Sequence, residues 1–188
     1  MRWREHWGIG RDALWSRRSL AFQLGTLLPD WFERKPKHKS ELTLHRICMR
    51  IAIARQMWDG ARKDFVMGTI VHYLCDYCTY PHEYCYEDYE SHARHEIGAQ
   101  RRYKELHRNL VAYYSEVADE LSLADKYEYM YEGKTPKEII QGCMRQLNDF
   151  IVKHGYSCDD SMFDEEMFVA RLLSYRILRY CGEPAFKE

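Results

Sequence analysis

The sequence predicts an all-α fold, a bundle of about six helices in a single domain that covers residues 1–188. Apolar residues recur at intervals of three and four along most of the chain, which is the period of an amphipathic helix. No stretch alternates apolar and polar residues over the length of a β-strand, and no segment repeats. A chain of 188 residues suits one domain with a sizeable core.

The helices can be placed from apolar spacing and from the residues that interrupt it. Pro29 and Pro36 separate the first helix from the second, and Asp59-Gly60 forms a turn before the third. Thr135-Pro136-Lys137-Glu138 predicts a helix start with a capping box, because proline suits the first helical position and the glutamate can bond back to the cap. The predicted helices are 3–28, 41–58, 61–77, 92–121, 136–154 and 163–181.

The third helix carries the first candidate metal ligands. His72 and Asp76 are four residues apart, so both side chains lie on one face of the helix, one turn apart. The surrounding run is apolar, and a buried carboxylate requires a partner or a metal ion. Gly68, one turn before His72, would let another helix approach closely. Cys75 and Cys78 are interpreted as packing residues, since a zinc ribbon would need a second such pair.

Further histidine and carboxylate groups follow closely. Pro81 should end the helix or turn the chain, and it thereby redirects the imidazole of His82. His92 and Glu96 then repeat the four-residue spacing. His95 lies beside Glu96 and competes with His92 as a ligand, the spacing favouring His92. So many candidate ligands in one short window predict a metal site rather than a solvated surface.

Composition and charge narrow the function classes. The formal net charge is -1, so the bulk balance does not indicate a nucleic-acid partner or an anionic membrane. The first fifty residues are basic and segment 83–96 leans acidic. This distribution would suit a phosphate-containing substrate, but a solvated surface accounts for most of these charges. No apolar run reaches the roughly 18 to 20 residues of a membrane span, and the amino-terminal residues are too polar for a signal peptide. With seven cysteines, an odd number that fits a reducing compartment, we expect a cytoplasmic protein.

With these residues placed, the chain resembles the zinc-dependent phospholipase C family. That family includes the bacterial secreted phosphatidylcholine-cleaving enzymes and the catalytic domain of clostridial α-toxin. The chain is more distantly similar to S1/P1 nucleases. The run Gly68-x-x-x-His72-Tyr73-Leu74-x-Asp76, followed by Pro81-His82, is similar to the family's GLSLHYLGD and QPMH element. The outer similarities are His92-x-x-x-Glu96 to a later His-x-x-x-Glu, Asp30 and His45 to an early aspartate and the next histidine, and His6-Trp7-x-Ile9 to the first histidine helix.

The resemblance implies a cluster of two to three zinc ions between helices. One site would be formed by Asp30, His45, His72 and Asp76; a second by His82, His92 and Glu96; and a third by His6, a bridging Asp76 and the amino terminus. Imidazole nitrogen and carboxylate oxygen are ligands that Zn²⁺ accepts. Three protein ligands at the second site would leave a position open, which is the pattern of catalytic zinc.

The implied activity is hydrolysis of a phosphoester, either a phospholipid or a soluble phosphodiester, by a zinc-bound water. Asp30 would act as a ligand or as a general base, and Trp31 would form a wall of the substrate pocket. Two alternatives stay open: an S1/P1-type nuclease, which shares a trinuclear zinc centre in a helical bundle, and a non-enzymatic helical protein stabilised by metal. A stable nucleic-acid partner is not expected, because no basic, aromatic-lined groove is evident beyond the first fifty residues.

Overall fold

The structure, a computed structural model, describes residues 3–14, 19–29, 41–79, 89–126, 132–155 and 159–182. Within these residues it contains eight helices and no strand, so the all-α prediction is confirmed. No described helix is both long enough and apolar enough to cross a membrane. The helices are α1 (Trp3–Leu14), α2 (Leu20–Leu27), α3 (Glu41–Gln56), α4 (Ala61–Cys78), α5 (Tyr89–Leu106), α6 (Leu110–Lys126), α7 (Pro136–His154) and α8 (Asp160–Tyr180).

The predicted count of about six helices is wrong, because two of the predicted helices are each divided in the described residues. Segment 3–28 forms α1 and α2, and α2 begins where the Ser19 hydroxyl accepts a hydrogen bond from the Phe22 N–H at 3.1 Å. Segment 92–121 is divided between α5 and α6, and the Asn109 side chain accepts from the Ala112 N–H at 3.2 Å. Apolar spacing continues through both breaks, whereas a helix cap is a local hydrogen bond that the spacing does not report.

Helix α4 occupies the centre of the bundle. It contacts α1, α2, α3 and α8, and every side chain from Met67 to Asp76 is buried. Ile70 and Leu74 of α4 share one hydrophobic core with Ile47 of α3 and Leu173 of α8. A helix covered on all sides needs apolar residues around its whole circumference. The polar residues of this run, His72 and Asp76 among them, are therefore held in the interior of the protein.

Two glycines allow α2 to cross α4 at very short distance. A Cβ atom built on Gly25 would overlap the carbonyl oxygen of Phe65, and one built on Gly68 would overlap that of Phe22. Any larger residue would push the two backbones apart. The close approach predicted from Gly68 is confirmed, and it brings the end of α2 against the face of α4 that carries His72.

Helices α7 and α8 begin at side-chain caps. The Thr135 N–H donates to the Glu138 carboxylate at 2.7 Å, and the Glu138 N–H donates to the Thr135 hydroxyl at 3.4 Å, which confirms the predicted capping box. Asp159 accepts from the Met162 N–H at 3.1 Å and fixes the start of α8. Helix α8 then packs against α1, α4, α5, α6 and α7.

Candidate metal centre

His72 and Asp76 form the part of the centre that α4 supplies. The four-residue spacing places both side chains on one face of the helix, and each is only 2% exposed. The His72 Nε2 atom lies 3.2 Å from Asp76 Oδ2. An ionisable pair this deeply buried loses its hydration, so its position requires compensating interactions.

Helix α1 adds His6 to this pair. The imidazole of His6 is fully buried, and its Nε2 atom lies 3.2 Å from Asp76 Oδ1. The His6 and His72 rings meet edge to face, with centroids 4.5 Å apart. Asp76 therefore lies between two imidazoles that come from different helices, one at each carboxylate oxygen.

The end of α2 orients the His72 ring. The Nδ1 atom of His72 lies 3.1 Å from the backbone carbonyl oxygen of Thr26 and 2.8 Å from His6 Nδ1. Because a carbonyl oxygen can only accept, the contact with Thr26 favours the proton of the neutral His72 ring on Nδ1, from where it can also be donated to His6 Nδ1. The Nε2 lone pair then faces Asp76. Metal-binding histidines share this arrangement, in which one ring nitrogen binds the metal and the other donates its proton to a second group.

The three side chains fit a zinc ion. One ligand atom from each of His6, His72 and Asp76 lies within 4.8 Å of the others. A lone pair of His72 and an anionic oxygen of Asp76 repel each other across 3.2 Å unless a proton or a cation lies between them. The buried His6 Nε2 lies 3.2 Å from the other oxygen of the same carboxylate. Two imidazole nitrogens and a carboxylate oxygen match the ligand preference of Zn²⁺.

Burial also sets the protonation state of His6. Loss of hydration lowers the pKa of His6, and the neighbouring His72 lowers it further, whereas the charge of Asp76 opposes both effects. The net direction is downward, so His6 is neutral at neutral pH. The neutral imidazole is the form that binds metal.

The other predicted ligands have different positions. His45 is exposed on α3 and is not part of the group formed by His6, His72 and Asp76. Glu96 is half-buried on α5. His82, Asp30 and Trp31 lie outside the described residues, as does the side chain of His92, which belongs to α5. The roles predicted for these residues stay predictions.

A buried pair that the sequence did not predict joins α5 to α8. His95 and Glu166 are both fully or almost fully buried, and His95 Nε2 lies 2.8 Å from Glu166 Oε2. The His95 ring also meets Phe163 edge to face at a centroid distance of 5.0 Å. The available signal was that Glu166 lies three residues after Phe163 and four before Ala170, on the apolar stripe of the last helix.

A separate cluster connects α1, α6 and α8; it consists of buried Asp12, Tyr113 and Arg171 with half-buried Glu120. Arg171 donates two hydrogen bonds to the Glu120 carboxylate, at 2.7 and 2.9 Å, and Tyr113 donates its hydroxyl proton to Asp12. Burial raises the pKa of Tyr113, and the charge of Asp12 raises it further. Burial raises the pKa of Glu120, an effect that the Arg171 guanidinium opposes. Arg11 lies 3.3 Å from Asp12 and supplies the second guanidinium, so each carboxylate of the cluster has a cationic partner and we do not interpret the cluster as a metal site.

Comparison with known proteins identifies the family. The family model described as zinc dependent phospholipase C matches residues 6–156 of the 188. The matched segment includes His6, His72 and Asp76. No curated protein and no solved structure matched the chain in the corresponding comparisons. Because the family model covers well over half of the sequence, the chain belongs to the zinc-dependent phospholipase C family, as its resemblance to that family predicted.

Proposed function

We propose that this protein hydrolyses a phosphodiester, with phospholipids as the first substrate class to test. Membership of the zinc-dependent phospholipase C family supports a zinc-dependent phosphoester hydrolase in general. The observation that carries the proposal is the group of His6, His72 and Asp76, whose ligand atoms lie within 4.8 Å of one another in the interior. Such a ligand set suits zinc and would serve no evident purpose as ordinary core packing.

The residues of the centre have separable roles in this proposal. His6, His72 and Asp76 would hold zinc, and the Thr26 carbonyl keeps the Nδ1 proton of His72 away from the metal side of the ring. Bound zinc supplies Lewis acidity toward a phosphoryl oxygen and toward an attacking water. Asp76 also places a negative charge between two bases, which favours a cation at that point.

A complete cluster of two to three zinc ions requires the remaining predicted ligands. Those ligands are Asp30, His45, His82, His92 and Glu96. In this proposal they hold the zinc ions that His6, His72 and Asp76 do not. Asp30 acts there as a ligand or as a general base, and Trp31 lines the substrate pocket.

One observation favours a second candidate function, a protein that uses zinc only for folding. His6, His72 and Asp76 are at most 2% exposed, and an ion enclosed by them would be shielded from solvent on that side. Structural zinc sites are closed, whereas catalytic sites keep a position open for water or substrate. The two functions differ in whether the protein turns over a substrate when its zinc is bound.

Metal analysis combined with hydrolysis separates the two functions. Protein purified without a histidine tag is analysed for zinc and assayed with bis(p-nitrophenyl) phosphate, before and after chelation and zinc replacement. The hydrolase proposal expects about two to three zinc ions per chain and turnover that is lost on chelation and restored by zinc. Bound zinc with no turnover of this diester or of phosphatidylcholine would instead support the folding role.

A matched pair of histidine variants ties the result to this centre. His72→Ala should remove zinc and turnover together, because it deletes the imidazole that lies against Asp76. His154→Ala removes an exposed imidazole near the end of α7 and should leave both unchanged. Equal zinc content in the His72→Ala variant and the unmodified protein would refute the assignment.

A further inference from the structure

Three large apolar side chains are exposed on α3 and in the connection that follows it. Met49 is 52% exposed and Ile53 is 48% exposed, and the four-residue spacing makes them neighbours on the outer face of the helix. Trp58, two residues after the end of the helix, is 94% exposed. We call Met49, Ile53 and Trp58 the α3 surface.

Exposure of this kind is costly for the residues concerned. Tryptophan is highly buried on average in soluble proteins, and its indole loses a large apolar contact area when it stands in water. Ile47 and Ile51 form the inner face of α3 and pack in the core. Met49 and Ile53 lie on the outer face, so packing of the helix in the core does not account for their apolar side chains. An apolar environment outside the protein would cover the α3 surface and recover this energy.

Basic residues border the α3 surface. Arg46 is exposed on α3, three residues before Met49, and Arg62 is exposed near the start of α4. Arg55, by contrast, packs on Tyr180 of α8 and donates to its hydroxyl at 2.9 Å. Segment 34–63 of the sequence contains nine lysines and arginines against two acidic residues, whereas the whole chain has a net charge of -1. Positive charge is therefore concentrated in the part of the chain that also carries the exposed Met49, Ile53 and Trp58.

We propose that the α3 surface docks the protein on an anionic phospholipid surface, with Met49, Ile53 and Trp58 entering the interfacial layer and the arginines contacting lipid phosphates. An apolar face bordered by Lys and Arg is typical of helices that lie in a membrane interface, and tryptophan is enriched at that depth. The inference rests on the proposed function for the choice of lipid as partner. Basic residues alone would also suit a nucleic-acid partner. An aliphatic side chain such as Ile53 gains little from contact with a nucleic-acid backbone, so the exposed apolar residues favour a lipid surface.

Vesicle sedimentation tests the docking directly. The full chain with zinc bound is mixed with vesicles of phosphatidylcholine and phosphatidylserine in about a two-to-one ratio, with pure phosphatidylcholine as the comparison. We expect the bound fraction to be larger on the anionic vesicles and to fall with added salt, because interfacial charges are screened. The variant Met49→Ser/Ile53→Ser/Trp58→Ala should weaken binding by about ten-fold or more, since it removes most of the inserted apolar area.

Val152→Ser is the matched control, because Val152 is an 85% exposed apolar residue on another helix, α7. It should leave vesicle binding unchanged. Absence of binding by the unmodified protein, undiminished binding by the triple variant, or an equal loss in the Val152→Ser variant would each overturn the docking proposal. Hydrolysis of bis(p-nitrophenyl) phosphate is measured in parallel, so that a protein which binds vesicles but hydrolyses no phosphoester would refute the proposed function and leave the docking surface intact.

Discussion

Arg171 and Glu120 form an ion pair through two short hydrogen bonds, whereas His6, His72 and Asp76 place two bases around one carboxylate. In the first cluster a guanidinium neutralises a carboxylate, and Tyr113 donates to Asp12. At the second, both imidazoles lie 3.2 Å from Asp76. The difference indicates that a buried polar group can be stabilised by the protein itself or by an ion that the protein must acquire. Stability and zinc content should therefore respond differently when each cluster is altered.

The largest effect is expected at the centre itself. Asp76→Asn keeps the size of the side chain but removes the negative charge between the two imidazoles. Zinc should be lost, and with it about 4 kcal/mol of unfolding free energy, the stabilisation expected when free zinc exceeds its dissociation constant about a thousand-fold. Denaturant unfolding with and without zinc measures this difference. Asp119→Asn, at an exposed position on α6, is the control. If Asp76→Asn kept the full stabilisation by zinc, Asp76 would not be a zinc ligand.

A similar loss of stability without loss of zinc is expected at the other cluster. Glu120→Ala leaves the Arg171 guanidinium buried without its bidentate partner, which should cost about 3 kcal/mol of unfolding free energy. Zinc content should not change. The double variant Glu120→Leu/Arg171→Met should recover much of the loss, because no buried charge then lacks a partner. A drop in zinc content in Glu120→Ala would show that the two clusters are not independent.

The close helix crossing should couple stability to zinc affinity. Gly68→Ala forces a Cβ atom into the Phe22 carbonyl of α2, so we expect a loss of about 2 kcal/mol in unfolding free energy. Displacement of α2 also moves the Thr26 carbonyl away from His72, which should weaken zinc binding by about ten-fold. Gly98→Ala is the comparison, because the nearest atoms to its Cβ would be those of the Phe163 ring, on α8, and not part of the metal centre. Both variants are titrated with zinc. Equal zinc affinities in the two variants would show that the crossing of α2 and α4 does not affect the metal centre.

The smallest effect is expected at a helix cap far from either cluster in sequence. Thr135→Ala removes the hydroxyl that accepts from the Glu138 N–H at the start of α7, and should cost about 1 kcal/mol of unfolding free energy. Zinc content and turnover should stay as they are. Thermal unfolding gives the stability change, and a change in zinc content would indicate that the cap supports the metal centre.

Local features of the chain could be predicted from the sequence, and the contacts between distant helices could not. The capping box at Thr135 and the shared face of His72 and Asp76 follow from spacing along one helix, and the structure contains both. The division of segment 92–121 was missed, because the break at Asn109 depends on a single side-chain hydrogen bond and interrupts no apolar stripe.

For the candidate centre, the ligands could be predicted from the sequence, but their positions relative to one another could not. Sequence reasoning proposed His6, His72 and Asp76 as ligands but divided them between two sites, and only the packing of α1 on α4 shows how close the two imidazoles lie. The Thr26 carbonyl has no sequence signal, since every residue carries that group. The partner of His95 required knowledge that α5 packs against α8, where Glu166 lies.

X-ray absorption at the zinc edge is the most direct test of these three ligands, because it reports the atoms bound to the metal. We expect zinc to be surrounded only by nitrogen and oxygen at about 2.0 to 2.2 Å, and the zinc signal to be reduced in the His72→Ala variant. Cys75 and Cys78 are buried on the same helix as His72 and Asp76. A sulfur shell at about 2.3 Å, or protein that takes up no zinc, would contradict the assignment of His6, His72 and Asp76 as zinc ligands.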